Sequence, residues 1–198
     1  MTHFEWQENI VVVNAAHVDR VAFNLIVNFE RMLGRRIPQA DMARWTECIA
    51  LDGGLREGEN QTQVVLVHDK DYRTMANFVP GSLDNELNGK AFKSHLGEFE
   101  FHTLTGEDIA GVTEVMADLV ANISQEPKVK RLMVVADEED AALMGKMRQA
   151  LQQADADKRV TLFTMQPIQG GNYRQEMLGY SLLNALGINS EEINSKMK

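Results

Sequence analysis

Apolar, β-branched runs alternate with helical patterns along this chain. The segment NIVVVNA at 9–15 is followed by VDRVAFNLIVNFERML, in which Val21, Leu25 and Phe29 are spaced by four residues. Residues with this spacing share one face of a helix, whereas a short run rich in valine is typical of a buried strand. Such alternation is typical of parallel strands joined by crossover helices, so it constrains the chain to an α/β fold.

The remaining elements continue this alternation. Further strands are predicted at 62–69, 98–104, 131–136 and 160–165, and further helices at 42–51, 108–124, 139–154 and 173–187. Asp41 is suited to cap the helix at 42–51, and Gly53 and Gly54 are suited to end it. We therefore predict a single domain over residues 1–198, a three-layer α/β/α sandwich with a mainly parallel sheet of about five strands.

Charge and cysteine content restrict the class of partner and the compartment. The 198 residues carry a formal net charge of -9, which argues against a broad phosphate-binding surface and disfavours RNA as a partner. Cys48 is the single cysteine, so no internal disulfide or CxxC metal site is expected. No segment has the apolar length of a signal peptide or a membrane span, and we expect a cytoplasmic protein without a membrane partner.

Polar residues at strand ends are the candidates for a binding site, because ligands of open α/β sheets lie outside the carboxyl ends of the strands. No GxGxxG motif follows the first strand, and no complete P-loop or nucleophile elbow is present. The strand-end candidates are Asn14, His17 and Asp19 after the first strand, Asp69 and Asp71 after the second, Asp108 after the third, and Asp137 to Asp140 after the fourth.

The stretch ADEED at 136–140 has two interpretations. Its carboxylates are suited to a divalent metal, but acids are also favoured in the first turn of a helix, where the dipole is positive. Asp137 is well placed to cap the following helix. The capping interpretation is favoured, since it requires nothing beyond local helix electrostatics.

The order of elements and the positions of the acids resemble the NYN domains of the PIN-like nuclease superfamily. VVVNAAHV resembles the first strand tip of that family, with Asn14 and His17 at its Asp and Asn positions. GEDIAGVTEVMADLV resembles the helix after the third strand, where Asp108 or Glu114, and then Asp118, are the acids. VVADEEDAALMGKMRQAL aligns with the fourth tip and assigns Glu138 and Asp140 to its acidic positions.

This resemblance implies a Mg²⁺ or Mn²⁺ site with Glu138, Asp140, Asp108 and Asp118 as ligands. Asn14 is neutral where the family has an acid, so a weakened or lost metal site is expected. The favoured hypothesis is therefore a degraded relative that keeps the fold for binding. The alternatives are a metal-dependent ribonuclease and a Rossmann-like or flavodoxin-like module that binds a small ligand.

The C-terminal segment YRQEMLGYSLLNALGI is rich in apolar residues at helical spacing. We expect this helix to pack on the sheet, and the alternative is that it forms the face of a homodimer.

Overall fold

The computed structural model describes residues 5–106 and 111–198. Its strands are β1 (Asn9–Asn14), β2 (Ala40–Asp41), β3 (Asn60–His68), β4 (Phe78–Val79), β5 (Ala91–Ser94), β6 (Gly97–Thr105), β7 (Arg131–Val135), β8 (Arg159–Thr164) and β9 (Arg174–Met177). Its α-helices are α1 (Ala15–Leu33), α2 (Met42–Asp52), α3 (Val112–Gln125), α4 (Ala141–Leu151), α5 (Leu178–Ala185) and α6 (Ser190–Lys196). A π-helical turn spans Leu83–Leu87.

Seven of the strands form one sheet in the order β5-β6-β3-β1-β7-β8-β9, and β2 and β4 form a separate short pair. All neighbours in the large sheet are parallel except β5, which runs antiparallel to β6 at one edge. The chain builds the sheet outward from β1 to β6, then returns to the other side of β1 and continues through β7, β8 and β9. Strand order therefore reverses between β1 and β7.

Both faces of the sheet are covered by helices. Val11 and Val13 of the central strand belong to the core that includes residues of α1, α2 and α5, while Ile10 and Val12 belong to the core that includes residues of α3 and α4. Successive side chains of a strand point to opposite faces, which is why the central strand is apolar at every one of these positions. The prediction of an α/β fold with a mainly parallel sheet is confirmed.

The sheet has two more strands than the five or so that the sequence predicts, and these two are the edge strands β5 and β9. In β9, Arg174, Gln175 and Glu176 are all exposed, and β5 alternates exposed and half-buried residues. Neither strand has the apolar run that identifies a buried strand. Since residues 174–177 form β9, the helix predicted from residue 173 begins only at Leu178.

The apolar residues of the C-terminal segment pack inside the chain. Leu178, Leu182, Leu186 and Ile188 are buried in the core that also contains Trp45 of α2. The indole N–H of Trp45 donates a hydrogen bond of 3.2 Å to the Ser181 hydroxyl, which joins α2 to α5. In the described part of the chain, no helix combines the length and the apolar character that crossing a membrane requires.

Candidate functional site

The end of β1 is shaped by Asn14. The Asn14 side-chain oxygen accepts a hydrogen bond of 3.1 Å from the backbone N–H of His17 and caps α1, so the strand passes into the helix without a loop. His17 lies in the first turn of α1, and only 6% of its surface is exposed. The sharp strand-to-helix junction therefore buries an imidazole at the carboxyl end of the central strand.

The end of β7 brings two carboxylates to the same place, because β7 is the neighbour of β1. Asp137 and Glu138 follow Ala136, and each offers an oxygen that clusters with a ring nitrogen of His17, all three atoms lying within 4.8 Å of one another. The His17 Nδ1 atom is 3.9 Å from Asp137 Oδ2. We call His17, Asp137 and Glu138 the switch-point site, since strand order reverses between β1 and β7.

Hydrogen bonds occupy one oxygen of each carboxylate in the switch-point site. Glu138 Oε1 accepts from the backbone N–H groups of Met165 and Gln166, both at 3.0 Å, and Asp137 Oδ1 accepts from the N–H of Glu139 at 3.0 Å. The other oxygen of Glu138 is buried and has no hydrogen-bond partner among the described residues. These backbone donors orient both carboxylates and leave one oxygen of each for another contact.

The His17 ring makes no hydrogen bond within residues 5–106 and 111–198, and its Nε2 atom is buried. Burial lowers the pKa of His17 below its ordinary value, and the nearby carboxylates of Asp137 and Glu138 oppose this effect. Burial thus favours the neutral imidazole. A neutral imidazole offers a lone pair, which is the form in which histidine binds a metal.

The donor set of the switch-point site can be compared with the preferences of divalent cations. Mg²⁺ prefers an all-oxygen octahedral environment, whereas imidazole nitrogen suits Zn²⁺ and Fe²⁺ and carboxylates suit Mn²⁺. One imidazole with two carboxylates therefore fits Mn²⁺ or Zn²⁺ better than Mg²⁺. Three protein ligands would leave further coordination positions for solvent or another molecule.

Of the four acids that the resemblance implied as ligands, the structure describes three and does not bring these three together. Asp118 is exposed on α3, and Asp108 lies outside the described residues. Asp140 accepts from the Leu143 N–H at 3.0 Å and from the Thr113 hydroxyl at 2.5 Å, so both of its oxygens have protein donors. Of the three described acids, Glu138 is the one that belongs to the switch-point site.

The helix cap after β7 is Asp140, and the prediction that Asp137 caps this helix is wrong. The helix begins at Ala141, because residues 136–140 form the turn that leaves the strand. This shift releases Asp137 from the cap and directs one of its oxygens toward His17.

The remaining strand-end candidates either stabilise the fold through hydrogen bonds or are exposed to solvent. Asp19 is buried and accepts hydrogen bonds from the Tyr72 hydroxyl and from the backbone N–H of Asn77, which holds the loop after β3 against α1. Burial and the bond to Asp19 raise the pKa of Tyr72, so its hydroxyl remains a donor. Asp69 and Asp71 are exposed in the same loop.

Residues 3–193 match the family described as a family of unknown function, DUF6621. The chain belongs to this family. Neither the curated proteins nor the solved structures include a match to it. All three residues of the switch-point site lie in the part of the chain that matches DUF6621.

Proposed function

We propose that this DUF6621 protein is a PIN-like α/β module that binds a divalent metal at the switch-point site and acts by binding rather than by cleaving RNA. The observation that carries the proposal is the buried imidazole of His17. Its Nε2 atom has no hydrogen-bond partner among the described residues, and a ring nitrogen lies within 4.8 Å of an oxygen atom of each of two carboxylates. A buried polar atom without a partner costs free energy, and a metal ligated through Nε2 would offset that cost.

The position of the site supports a binding role. Ligands of open α/β sheets bind at the carboxyl ends of strands where strand order reverses, and the switch-point site lies between β1 and β7. Helices on both faces of the sheet support the description of the fold as a three-layer α/β/α sandwich. One α/β architecture can host many kinds of site, so the choice of a metal ligand comes from the residues of the site.

Electrostatics also favour a cation at this position. Asp137 and Glu138 are adjacent in sequence, are half-buried, and each keeps one oxygen close to the imidazole. Two negative charges at short separation repel each other more strongly where water is partly excluded. A divalent cation replaces this repulsion with attraction to both carboxylates.

The proposal of binding without cleavage is based on the residues that a nuclease site would require. Asn14 is neutral and its side-chain oxygen caps α1, while Asp140 is engaged with Leu143 and Thr113. Hydrolysis of a phosphodiester needs a metal cage that stabilises negative charge in the transition state. Because these two strand-tip residues are engaged in caps, they are not free to serve as ligands in the cage that the nuclease hypothesis requires.

A thermal-shift experiment tests the metal site. After treatment with a chelator, the protein is titrated with Mn²⁺, Zn²⁺ and Mg²⁺, and the melting temperature is recorded. We expect Mn²⁺ and Zn²⁺ to stabilise the protein by about 2.7 kcal/mol at 100 times Kd, and Mg²⁺ to bind more weakly. Titration calorimetry with Mn²⁺ measures Kd directly.

The variant Glu138→Gln has a matched control in Glu139→Gln. A glutamine carbonyl can still accept from the N–H groups of Met165 and Gln166, so Glu138→Gln removes the charge and keeps these contacts. We expect Glu138→Gln to weaken Mn²⁺ binding by at least about tenfold. Glu139 is exposed, and its variant should bind as the wild type does. No metal response in the wild type, or equal loss in both variants, would refute the proposal.

A further inference from the structure

A group of arginines lies at the opposite end of the sheet from the switch-point site. Arg131 begins β7 and Arg159 begins β8, and the two residues are direct partners in the parallel register, so their side chains lie on the same face. Arg174 begins β9 opposite Thr161, two residues beyond Arg159, and therefore shares that face. The amino-terminal ends of three neighbouring strands thus place three guanidinium groups on one side of the sheet.

Two arginines of this region stabilise the end of α2. Arg131 Nε donates 3.0 Å to the carbonyl of Gly53 and its Nη1 atom donates 2.8 Å to the side-chain oxygen of Asn9. Arg56 donates to the carbonyls of Leu51 and Leu55. The cations Arg131 and Arg56 suit the negative end of the helix dipole, and this structural role accounts for them.

Arg159 and Arg174 are not explained in this way. The Arg159 guanidinium lies against Gly54, where a Cβ atom would be 2.5 Å from Arg159 Cζ, and Arg159 Nε is buried without a hydrogen-bond partner among the described residues. Arg174 is exposed, and its side chain makes none of the side-chain hydrogen bonds of the described residues. Their positive charges therefore lack the carbonyl contacts that Arg131 and Arg56 make.

Carboxylates do not neutralise this group of charges. In the described ranges, none of the ion pairs includes Arg56, Arg131, Arg159 or Arg174. Burial lowers the pKa of Arg131, and the charges of Arg159 and Arg56 lower it further, while Glu8 acts in the opposite direction. Uncompensated cations at close range are unexpected in a protein with a net charge of -9.

A cavity of about 450 Å³ opens beside these arginines, and Arg159 and Arg174 both line it together with Asn172 and Tyr173. Lys158 also lines the cavity, but its ammonium group donates to the carbonyls of Glu126 and Val129. Asp157 is the acid among its lining residues. The lining residues of this cavity therefore include two arginines, Asn172 and Tyr173. We call it the arginine cavity.

We propose that the arginine cavity binds a phosphate dianion, either free phosphate or the phosphate group of a small metabolite, between Arg159 and Arg174. Guanidinium groups match the geometry of phosphate oxygens and bind them through charge-assisted hydrogen bonds. The phosphate supplies negative charge to two arginines that take part in none of the ion pairs of the described ranges. This site is independent of the switch-point site, since the two lie at opposite ends of the sheet.

Titration calorimetry with inorganic phosphate and with ribose 5-phosphate tests the proposal, at an ionic strength held constant with chloride. The full chain is compared with Arg174→Gln, Arg159→Gln and the control Arg36→Gln, which removes the same charge from an exposed position outside the cavity. We expect Arg174→Gln and Arg159→Gln to weaken binding by at least about tenfold, the typical effect of one hydrogen bond to a charged group. Arg36→Gln should bind as the wild type does.

The two probes show which kind of phosphate the protein binds, and the variants show whether the arginine cavity is the binding site. Tighter binding of ribose 5-phosphate supports a phosphorylated metabolite, and equal or tighter binding of inorganic phosphate supports free phosphate. Because Arg174 is exposed, Arg174→Gln remains a valid test if Arg159→Gln does not fold. If neither probe binds the wild type, or if Arg174→Gln binds with wild-type affinity, the proposal is wrong.

Discussion

His17 and Asp52 are two titratable residues whose surroundings shift their pKa values in opposite directions. Burial favours the neutral imidazole of His17 and so prepares it for a metal. Asp52 is the last residue of α2, and burial together with the carboxylate of Glu176 raises its pKa. In both cases the folded state favours the uncharged form, but only for Asp52 is the charged form dominant in the unfolded chain at neutral pH.

The variant Asp52→Asn is predicted to stabilise the protein at neutral pH. The folded-state pKa of Asp52 is raised, so folding favours the protonated carboxyl group. The stability that this group contributes is fully present below the unfolded-state pKa of about 3.9, and it is lost as the pH rises through the folded-state pKa. Removal of a carboxylate from a helix C-terminus should add about 0.5 kcal/mol to the free energy of unfolding. Urea denaturation at pH 7 and near pH 4 measures this difference.

The pH dependence distinguishes this effect from a general effect of charge removal. The gain from Asp52→Asn should shrink as the pH approaches 4, where Asp52 becomes protonated in the folded state. Asp71→Asn is the control, because Asp71 is exposed in the loop after β3. A gain that does not depend on pH, or an equal gain in Asp71→Asn, would contradict the assignment.

Among the secondary-structure elements, the start of α4 depends on one carboxylate that joins two helices. Asp140 caps α4 through the Leu143 N–H and also accepts from Thr113 in the first turn of α3. The helices α3 and α4 pack together over the same face of the sheet. The cap therefore fixes the position of α4 relative to α3.

Replacement of Asp140 separates its capping role from the metal-ligand role that the sequence suggested. Asp140→Ala should lower the free energy of unfolding by about 1 kcal/mol, because the cap is lost, and Asp140→Asn should lower it less, because asparagine also caps helices. Both variants should retain the response to Mn²⁺. Chemical denaturation with and without Mn²⁺ measures the two effects.

The contrary result for Asp140 is equally specific. If Asp140→Asn keeps the stability of the fold but loses the response to Mn²⁺, Asp140 is a metal ligand and the switch-point site is defined too narrowly.

For the whole molecule, the charge distribution argues against RNA as a substrate. The net charge is -9, and the arginine cavity and the switch-point site lie at opposite ends of the sheet. A polyanion needs a continuous basic surface, because its affinity comes largely from neutralised phosphates. A compact cavity with two arginines suits a single phosphate better than a strand of RNA.

We predict that the protein does not cleave single-stranded RNA above background in the presence of Mn²⁺. Asn14→Asp should also be inactive, since an aspartate at this position continues to cap α1 through the His17 N–H. Gel analysis of a labelled RNA oligonucleotide checks both proteins. Cleavage by the wild type that disappears in Glu138→Gln would favour the nuclease hypothesis.

The sequence by itself determined the class of fold and several element boundaries, because these depend on local patterns. Valine-rich β1 and the four-residue spacing in α1 are visible without any tertiary information. The prediction that Asp41 caps α2 is confirmed by its bond of 3.2 Å to the Arg44 N–H, which is a contact between residues three positions apart. Local hydrogen bonds and periodicity are properties that a single sequence carries.

Tertiary structure decided which of the strand-end residues meet. His17 and Asp137 are far apart in the sequence, and they come together because β7 returns to the side of β1, a consequence of strand order that no local pattern encodes. A shift of the helix start to Ala141 exchanged the roles of Asp137 and Asp140. The strands β5 and β9 form by backbone pairing with β6 and β8 at the two edges of the sheet, and they bury few apolar residues. Their sequences therefore lack the apolar pattern that identifies a strand.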